Sequence, residues 1–161
     1  MKTIALTNGG VTVVSDRDYS YLRRWAWTRR PDNYAVRYEG NSRKPKNRRT
    51  VYLHLVVARR AGKCGRPQVD HRDLDRLNNC RSNLRVATMM EQRANQTKQR
   101  NNTSGFKGVF WHEPTGKWMA QIGVRRRHIY LGLFTSKRNA AQAYNQAARK
   151  HFGKFACLNK V

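Results

Sequence analysis

The chain has 161 residues, enough for one ordinary domain or two or three small ones, and carries 34 Lys and Arg against 9 Asp and Glu, a formal charge of +25. A like-sign charge this large repels itself unless a polyanion neutralises it, which points to nucleic acid held through phosphate contacts and therefore to salt-sensitive binding. No stretch reaches the ~18 apolar residues of a membrane-spanning helix, and residues 1–25 lack the order of a signal peptide, so a membrane partner is not expected and a cytoplasmic location is. Cys64, Cys80 and Cys157 are odd in number and show no C-x-x-C spacing, which argues against a disulfide framework and a zinc knuckle.

In chain order, Ile4–Thr7 and Val11–Val14 are β-rich runs around Asn8-Gly9-Gly10, which predicts a hairpin. Ser15 and Asp16 can cap a short helix running to Leu22, and Trp25 and Trp27 are expected core anchors. Tyr34–Tyr38 resembles a strand, residues 40–50 read as a mobile basic loop, and Thr50–Leu53 as a third strand. The apolar run His54–Ala58 predicts a short helix ending near Gly62. At its start His54 reads as a packed core histidine, with an accessory catalytic role as the alternative.

Next come Asp70-His71, a polar stretch with Asn78-Asn79, and Asn83–Ala87, which predict a strand, a turn and a returning strand. Thr88 with Glu91 three residues later forms a capping box, so a helix is predicted from Thr88 to about Lys98. The D-H pair, the L-x-N-N turn, the N-L-R-x-A-T segment and the upstream Leu53-His54 resemble the ββα-metal fold of phage-type HNH homing endonucleases. That resemblance implies a divalent cation, Mg²⁺ or Mn²⁺, held by Asp70 and a helix donor, with His71 as general base and Asn83 holding the imidazole or the loop. Phosphodiester hydrolysis needs such a pair, a base to deprotonate water and a cation to neutralise developing charge. The family closes its metal site with Asn or His. Here the matching residue is Gln92, whose carbonyl is still an oxygen donor but sits one methylene farther out, and Asn95 on the same helical face is the accessory candidate. Neighbouring residues on an ideal strand point to opposite faces, so a distortion near Asp70 and His71 is expected.

From Gln96 to Ser104 no apolar residue occurs, which marks a linker. Beyond it, residues 106–111, a Glu113–Gly116 turn, residues 117–125 and residues 128–134 predict three strands, followed by a helix from Lys137 to Phe152 ended by Gly153. Trp118, Ala120, Ile122, Val124, Ile129 and Leu131 fall on the face that meets the helix, whose Ala140, Ala143, Tyr144, Ala147 and Ala148 form a small-residue stripe. F-K-G-V-x-W, K-W-x-A-x-I, Y-L-G-x-F, A-A-x-A-Y-x-x-A-A and Leu158-Asn159 resemble an AP2 domain over 103–159. The resemblance implies a sheet laid in the DNA major groove, with Lys107, Lys117, Gln121, Arg125, Arg127, His128 and Tyr130 as the contact candidates. Phe110 and His112 stand where plant members have contact arginines, so their target sequence does not carry over.

Residues 103–161 carry +10 and the first 102 carry +15, so both parts are expected to touch the same polyanion. The fold class expected is α+β: a ββα-metal (HNH) nuclease domain with an N-terminal β-rich extension, then an AP2-type three-stranded antiparallel sheet packed on one helix. The expected boundaries are 1–50 for the extension, 51–98 for the nuclease domain, 99–104 for a linker and 105–159 for the reader. The function expected is site-specific, metal-dependent cleavage of double-stranded DNA, one strand per site, by a monomer or weak dimer with no protein partner implied. A DNA-binding regulator with an eroded metal site is the alternative, and an RNA-binding role a third.

Overall fold

The computed structural model describes residues 1–40, 48–63 and 68–161, so most of the basic loop expected at 40–50, together with Cys64, lies outside the described residues. The chain divides into two compact units, Met1–Thr88 and Met89–Val161. Small sheets and four α-helices make up the described residues, and no helix among them is long and apolar enough to cross a membrane.

In the first unit, β1 (Lys2–Ala5) and β2 (Val11–Val14) form the expected antiparallel hairpin, with Gly9 and Gly10 in its turn at φ +94° and +83°. Only glycine adopts such angles without a Cβ clash. A third strand, β7 (Asn78–Asn79), adds to β2 in parallel, so the asparagine pair expected only to turn the chain also extends a sheet. Helix α1 (Asp16–Leu22) follows Ser15, whose hydroxyl makes no cap bond to the helix and instead accepts the amide of Arg81.

Strands β3 (Thr28–Arg29), β4 (Ala35–Glu39) and β5 (Arg49–Tyr52) form a second antiparallel sheet in chain order. Helix α2 (Leu53–Arg60) leaves β5 directly and buries Leu53, His54, Val57 and Ala58, which the 3.6-residue period places on one face. That face joins a core of Ile4, Leu6, Val14, Leu22, Trp27, Val69 and Leu84. Trp27 is fully buried and its indole N–H donates to the Leu22 carbonyl at 2.8 Å, so burial contributes about 1.5–3 kcal/mol without stranding a donor. Trp25 is only half-buried.

One of the charges buried in this unit sits on α1. Asp18 of α1 has no exposed side-chain surface and takes Arg60 of α2 at 3.1 Å and two nitrogens of Arg81, each at 2.6 Å. Burial alone would raise its carboxyl pKa, but the hydrogen bonds and charges of Arg81 and Arg60 prevail and hold it below the usual carboxylate range.

Strands β6 (Gln68–His71) and β8 (Leu84–Ala87) pair antiparallel from Gln68↔Ala87 to His71↔Leu84 with no register shift. The distortion expected within this hairpin is therefore absent from the ladder. Val69 and His71 are buried while Asp70 is half-exposed, the alternation of a regular strand.

The second unit opens with α3 (Met89–Asn95), shorter than predicted. Its last carbonyls are taken by groups outside the helix: Lys107 Nζ donates to Ala94 O at 2.8 Å and Gln96 O at 2.6 Å, and the Cys157 amide donates to Ala94 O. An ammonium there also suits the negative end of the helix dipole.

Strands β9 (Val109–His112), β10 (Lys117–Val124) and β11 (Arg127–Phe134) form an antiparallel sheet in the order β11-β10-β9. Helix α4 (Lys137–Phe152) starts at Ser136, whose hydroxyl accepts the Arg138 amide, and ends at Gly153. It packs Ala140, Ala141, Tyr144 and Ala148 against Val109, Ala120 and Ile122. Gly108 shows how close the packing is, since a Cβ there would stand 2.3 Å from the Tyr144 ring and 2.6 Å from the Gln121 carbonyl, at φ +73°. Between Ala120 and Gln121 the register slips by one residue, so Leu131 is a bulge and Gly132, at φ +128°, faces Ala120. The bulge reverses the alternation, which lets both Leu131 and Phe134 pack against the core. Near the end of the chain Asn159 bonds both backbone groups of Lys107 and both ends of the buried Asn145 amide.

Candidate active site

The first unit brings His71, Asn79, Asn83, His54 and Asp70 around the far end of the β6–β8 hairpin. His71 is 3 % exposed, and its Nε2 lies 3.1 Å from Oδ1 of Asn79. The orientation of that amide follows from its other partners. Thr12 gives its hydroxyl proton to the Leu77 carbonyl at 2.7 Å, so Thr12 Oγ1 can only accept from Asn79 Nδ2, at 2.8 Å. Asn79 Nδ2 also donates to Arg76 O, which turns Oδ1 toward the ring. Nε2 therefore carries the proton, and the lone pair of the neutral imidazole sits on Nδ1.

Burial is the largest influence on His71 and lowers its pKa, against the opposing pull of Asn79 and the nearby aspartates, so the ring is held in the neutral form that can accept a proton. His54 packs beside it with ring centres 5.4 Å apart. Burial, then the charges of His71 and Arg76, push His54 down to about 3, so it is neutral as well. His54 occupies the core of α2, as a packed histidine would, and at the same time forms one wall against His71.

Asn83 serves the loop. Its Oδ1 accepts the Asp73 amide at 3.2 Å, and its Nδ2 donates to Asp73 Oδ1 at 2.8 Å and to Asn78 O at 2.7 Å. Of the two roles the sequence left open for it, the hydrogen bonds show the loop, and Asn79 holds the imidazole. Asn79 was missed because its N-N setting reads as a turn and its anchor, Thr12, is 67 residues away.

Asp70 faces Arg85, its cross-strand partner, with Nε at 2.9 Å and Nη2 at 2.8 Å from Oδ2. The donor set near Asp70 can be tested against the cation implied by the resemblance. Among the described residues no three His, Cys, Asp or Glu side chains gather into a cluster. A single carboxylate that already faces Arg85 would suit Mg²⁺ or Mn²⁺, which keep much of their water and complete their shell with phosphate oxygens, better than an ion needing an all-protein cage. Gln92 and Asn95 lie on α3 in the second unit, Gln92 half-buried and Asn95 5 % exposed.

In the second unit, strand parity and pairing place Lys117, Gln121 and Tyr130 on the sheet face away from α4, Gln121 directly opposite Tyr130. Lys117, Arg125, Arg127, His128 and Tyr130 are exposed. Lys107 is placed differently, because its amine is held by the carbonyls that end α3. One cation escaped the sequence reading. Arg125 and Arg126 form the two-residue turn between β10 and β11 at φ +48° and +65°, where Asn-Gly is the usual choice. Two arginines in left-handed conformation cost about 1–2 kcal/mol each, which makes the turn tip a candidate contact point. A cleft of about 550 Å³ borders the same face, lined by Arg93, Lys98, Asn102, Phe110, Gln121 and His128 among others.

Comparison with known proteins agrees with both halves of this description. Residues 51–94 match the family described as HNH endonuclease. Among curated proteins, APETALA2-like protein 2 of Oryza sativa subsp. indica is 41% identical over 59 residues, covering 35% of this chain and 13% of that protein. The AP2-like ethylene-responsive transcription factor PLT2 of Arabidopsis thaliana is 35% identical over 85 residues, 44% of this chain and 15% of its own length. The factor AIL5 of the same plant is 33% identical over 92 residues, 52% and 16%. The chain thus spans 13–16% of the length of these curated relatives. Residues 51–94 are thus similar to HNH endonucleases, and a further segment is similar to AP2-domain proteins.

Proposed function

We propose that the protein is a homing-type DNA endonuclease that hydrolyses one strand of a duplex per active site, with Mg²⁺ or Mn²⁺ as cofactor. The observation that carries the reading is the neutral, buried His71 with its Nε2 proton fixed on Asn79, within a region that matches the HNH endonuclease family. His71 accepts the proton of the attacking water at Nδ1. Asn79 keeps the ring from turning and stabilises the imidazolium that results. Asn83 keeps the Asp73 loop in the shape that closes the site. Asp70 would hold the cation, and the cation would neutralise charge on the phosphate and the leaving oxygen.

The second unit supplies recognition of double-stranded DNA in this reading, through Lys117, Gln121, Arg125, Arg127, His128 and Tyr130 with Arg126 added. The AP2-domain relatives named as transcription factors support it, as does the charge of +10 on residues 103–161. Lys107 supports the fold of that unit rather than the contact.

The test is incubation of supercoiled plasmid carrying a duplex selected by the protein, with Mg²⁺ or Mn²⁺, beside a His71→Ala control. Nicked circles that need both the cation and His71 are expected. Tight, selective binding with no His71-dependent nicking would replace this reading with that of a DNA-binding regulator.

A further inference from the structure

Two arginines at the edge of the aromatic cluster that includes His71 take no part in the reading above: Arg30, between β3 and β4, and Arg76, in the loop before β7. Arg76, exposed in the loop before β7, has its guanidinium 4.7 Å from the ring centre of Tyr34 and donates from Nη1 to the Asp32 carbonyl at 2.7 Å. Tyr34 stands 4.9 Å from the His54 ring and 6.1 Å from the His71 ring. Arg30 lies over Tyr52 at 5.8 Å, donates to its hydroxyl at 2.9 Å and meets Asp32 Oδ1 at 3.4 Å. The two tyrosines touch edge to face at 5.7 Å. An aromatic stack therefore runs outward from His71 and carries a guanidinium on each tyrosine.

Arg76 makes no ion pair among the described residues, although carboxylates surround its loop. Asp73 is taken by the side chains of Asn78 and Asn83 and by the Asp75 amide, Asp75 accepts the Leu77 amide, and Asp32 faces Arg30. A planar guanidinium fixed by a ring and a carbonyl, yet left with its charge uncompensated, is prepared for an outside anion. Phosphate matches its fork, and little side-chain freedom remains to be lost on binding. Guanidinium and imidazole stand no farther apart than the Arg76–Tyr34 and Tyr34–His71 distances laid end to end. With the reach from each group to its own phosphate added, that span admits phosphates one to three nucleotides apart on a strand whose axial rise is about 3.4 Å per nucleotide.

We propose that Arg76, positioned by Tyr34 and Asp32 and backed by Arg30, binds a backbone phosphate one to three nucleotides from the one His71 acts on, so that the segment joining β3 to β4 is a working part of the nuclease site. This rests on the nuclease reading for where the phosphate lies, but not for its existence.

The experiment uses the full chain and a duplex selected by it, carrying single neutral methylphosphonates at successive positions. Wild-type cleavage maps the cut and tests the nuclease reading separately. Binding is then measured with His71→Ala protein, with and without Arg76→Ala. One methylphosphonate within three nucleotides of the cut is expected to weaken binding by the His71→Ala protein about tenfold and to leave the double variant unaffected, whose salt slope falls by about 0.9. Tyr34→Leu should act like Arg76→Ala, and Arg76→Lys should recover part of the loss, because the charge remains and the stack does not. Identical methylphosphonate profiles for the two proteins would overturn the proposal even if cutting is intact. An Arg76-dependent phosphate in a protein that never cuts would keep the anion site and remove the nuclease reading.

Discussion

The amide oxygen of Asn79 lies 3.1 Å from Nε2 of His71, and Thr12, on the N-terminal hairpin, fixes which end of that amide meets the ring. The imidazole is thus oriented by a residue of the loop that is itself oriented by the N-terminal hairpin. Asn79→Ala is expected to lower single-turnover nicking about 10–100-fold while DNA affinity stays within about twofold, the usual scale for an orienting partner of a catalytic or metal-bound imidazole. Thr12→Val should produce a smaller loss in the same direction. Unchanged nicking by Asn79→Ala, in a protein with wild-type affinity, would remove Asn79 from the site.

The turn at Arg125 and Arg126 separates stability from binding. Asn-Gly adopts these two left-handed conformations more readily, and the entropy glycine loses on folding offsets part of the relief, so the second unit should gain about 1–2 kcal/mol in denaturant unfolding. The same change should weaken DNA binding and lower its salt slope, because two exposed cations are removed. A protein both more stable and as tightly bound would place DNA elsewhere.

Asp18 makes the first unit acid-sensitive. Its carboxyl is held below the unfolded value of about 3.9, so its stabilisation is present above that pH and is lost as pH falls through the lower folded value. Asp18→Asn leaves Arg60 and Arg81 without their anion and should cost about 3 kcal/mol at pH 7, the low end for a broken buried pair because both arginines reach solvent. Urea midpoints measured at descending pH should show the gap between wild type and variant closing below about pH 4. A gap independent of pH would mean that the cost is steric.

Gly108→Ala should destabilise the second unit by about 1–3 kcal/mol, since the new methyl meets the Tyr144 ring and a backbone carbonyl that cannot both move away. Tyr144→Leu in the same chain should recover only part of it, because the carbonyl contact and the positive φ remain. Full recovery would trace the whole cost to the ring.

Much of this was legible in the sequence because the signals were local. Asn8-Gly9-Gly10 specified a hairpin, the spacing of Leu53, Val57 and Ala58 specified a helix face, and the D-H pair with N-L-R-x-A-T located the β6–β8 hairpin. What escaped depended on distant partners. Asn79 meets Thr12 across 67 residues, and Lys107 meets carbonyls at the end of a helix that was expected to run on to about Lys98 and stops at Asn95. Alternation read through Leu131 could not show the bulge that reverses it before Phe134. Arg126 was invisible for a different reason: a tight hairpin turn is recognised by Asn-Gly, and here two arginines occupy it against their conformational preference.

Asn159 bonds both backbone groups of Lys107, so the segment entering β9 and the segment leaving α4 are stitched side by side. A module whose two ends meet can be spliced onto another chain without stretching its host or itself. In the proposed nuclease such portability would act as an exchangeable address label, the target changing by replacement of one self-contained cassette while the residues around His71 stay as they are.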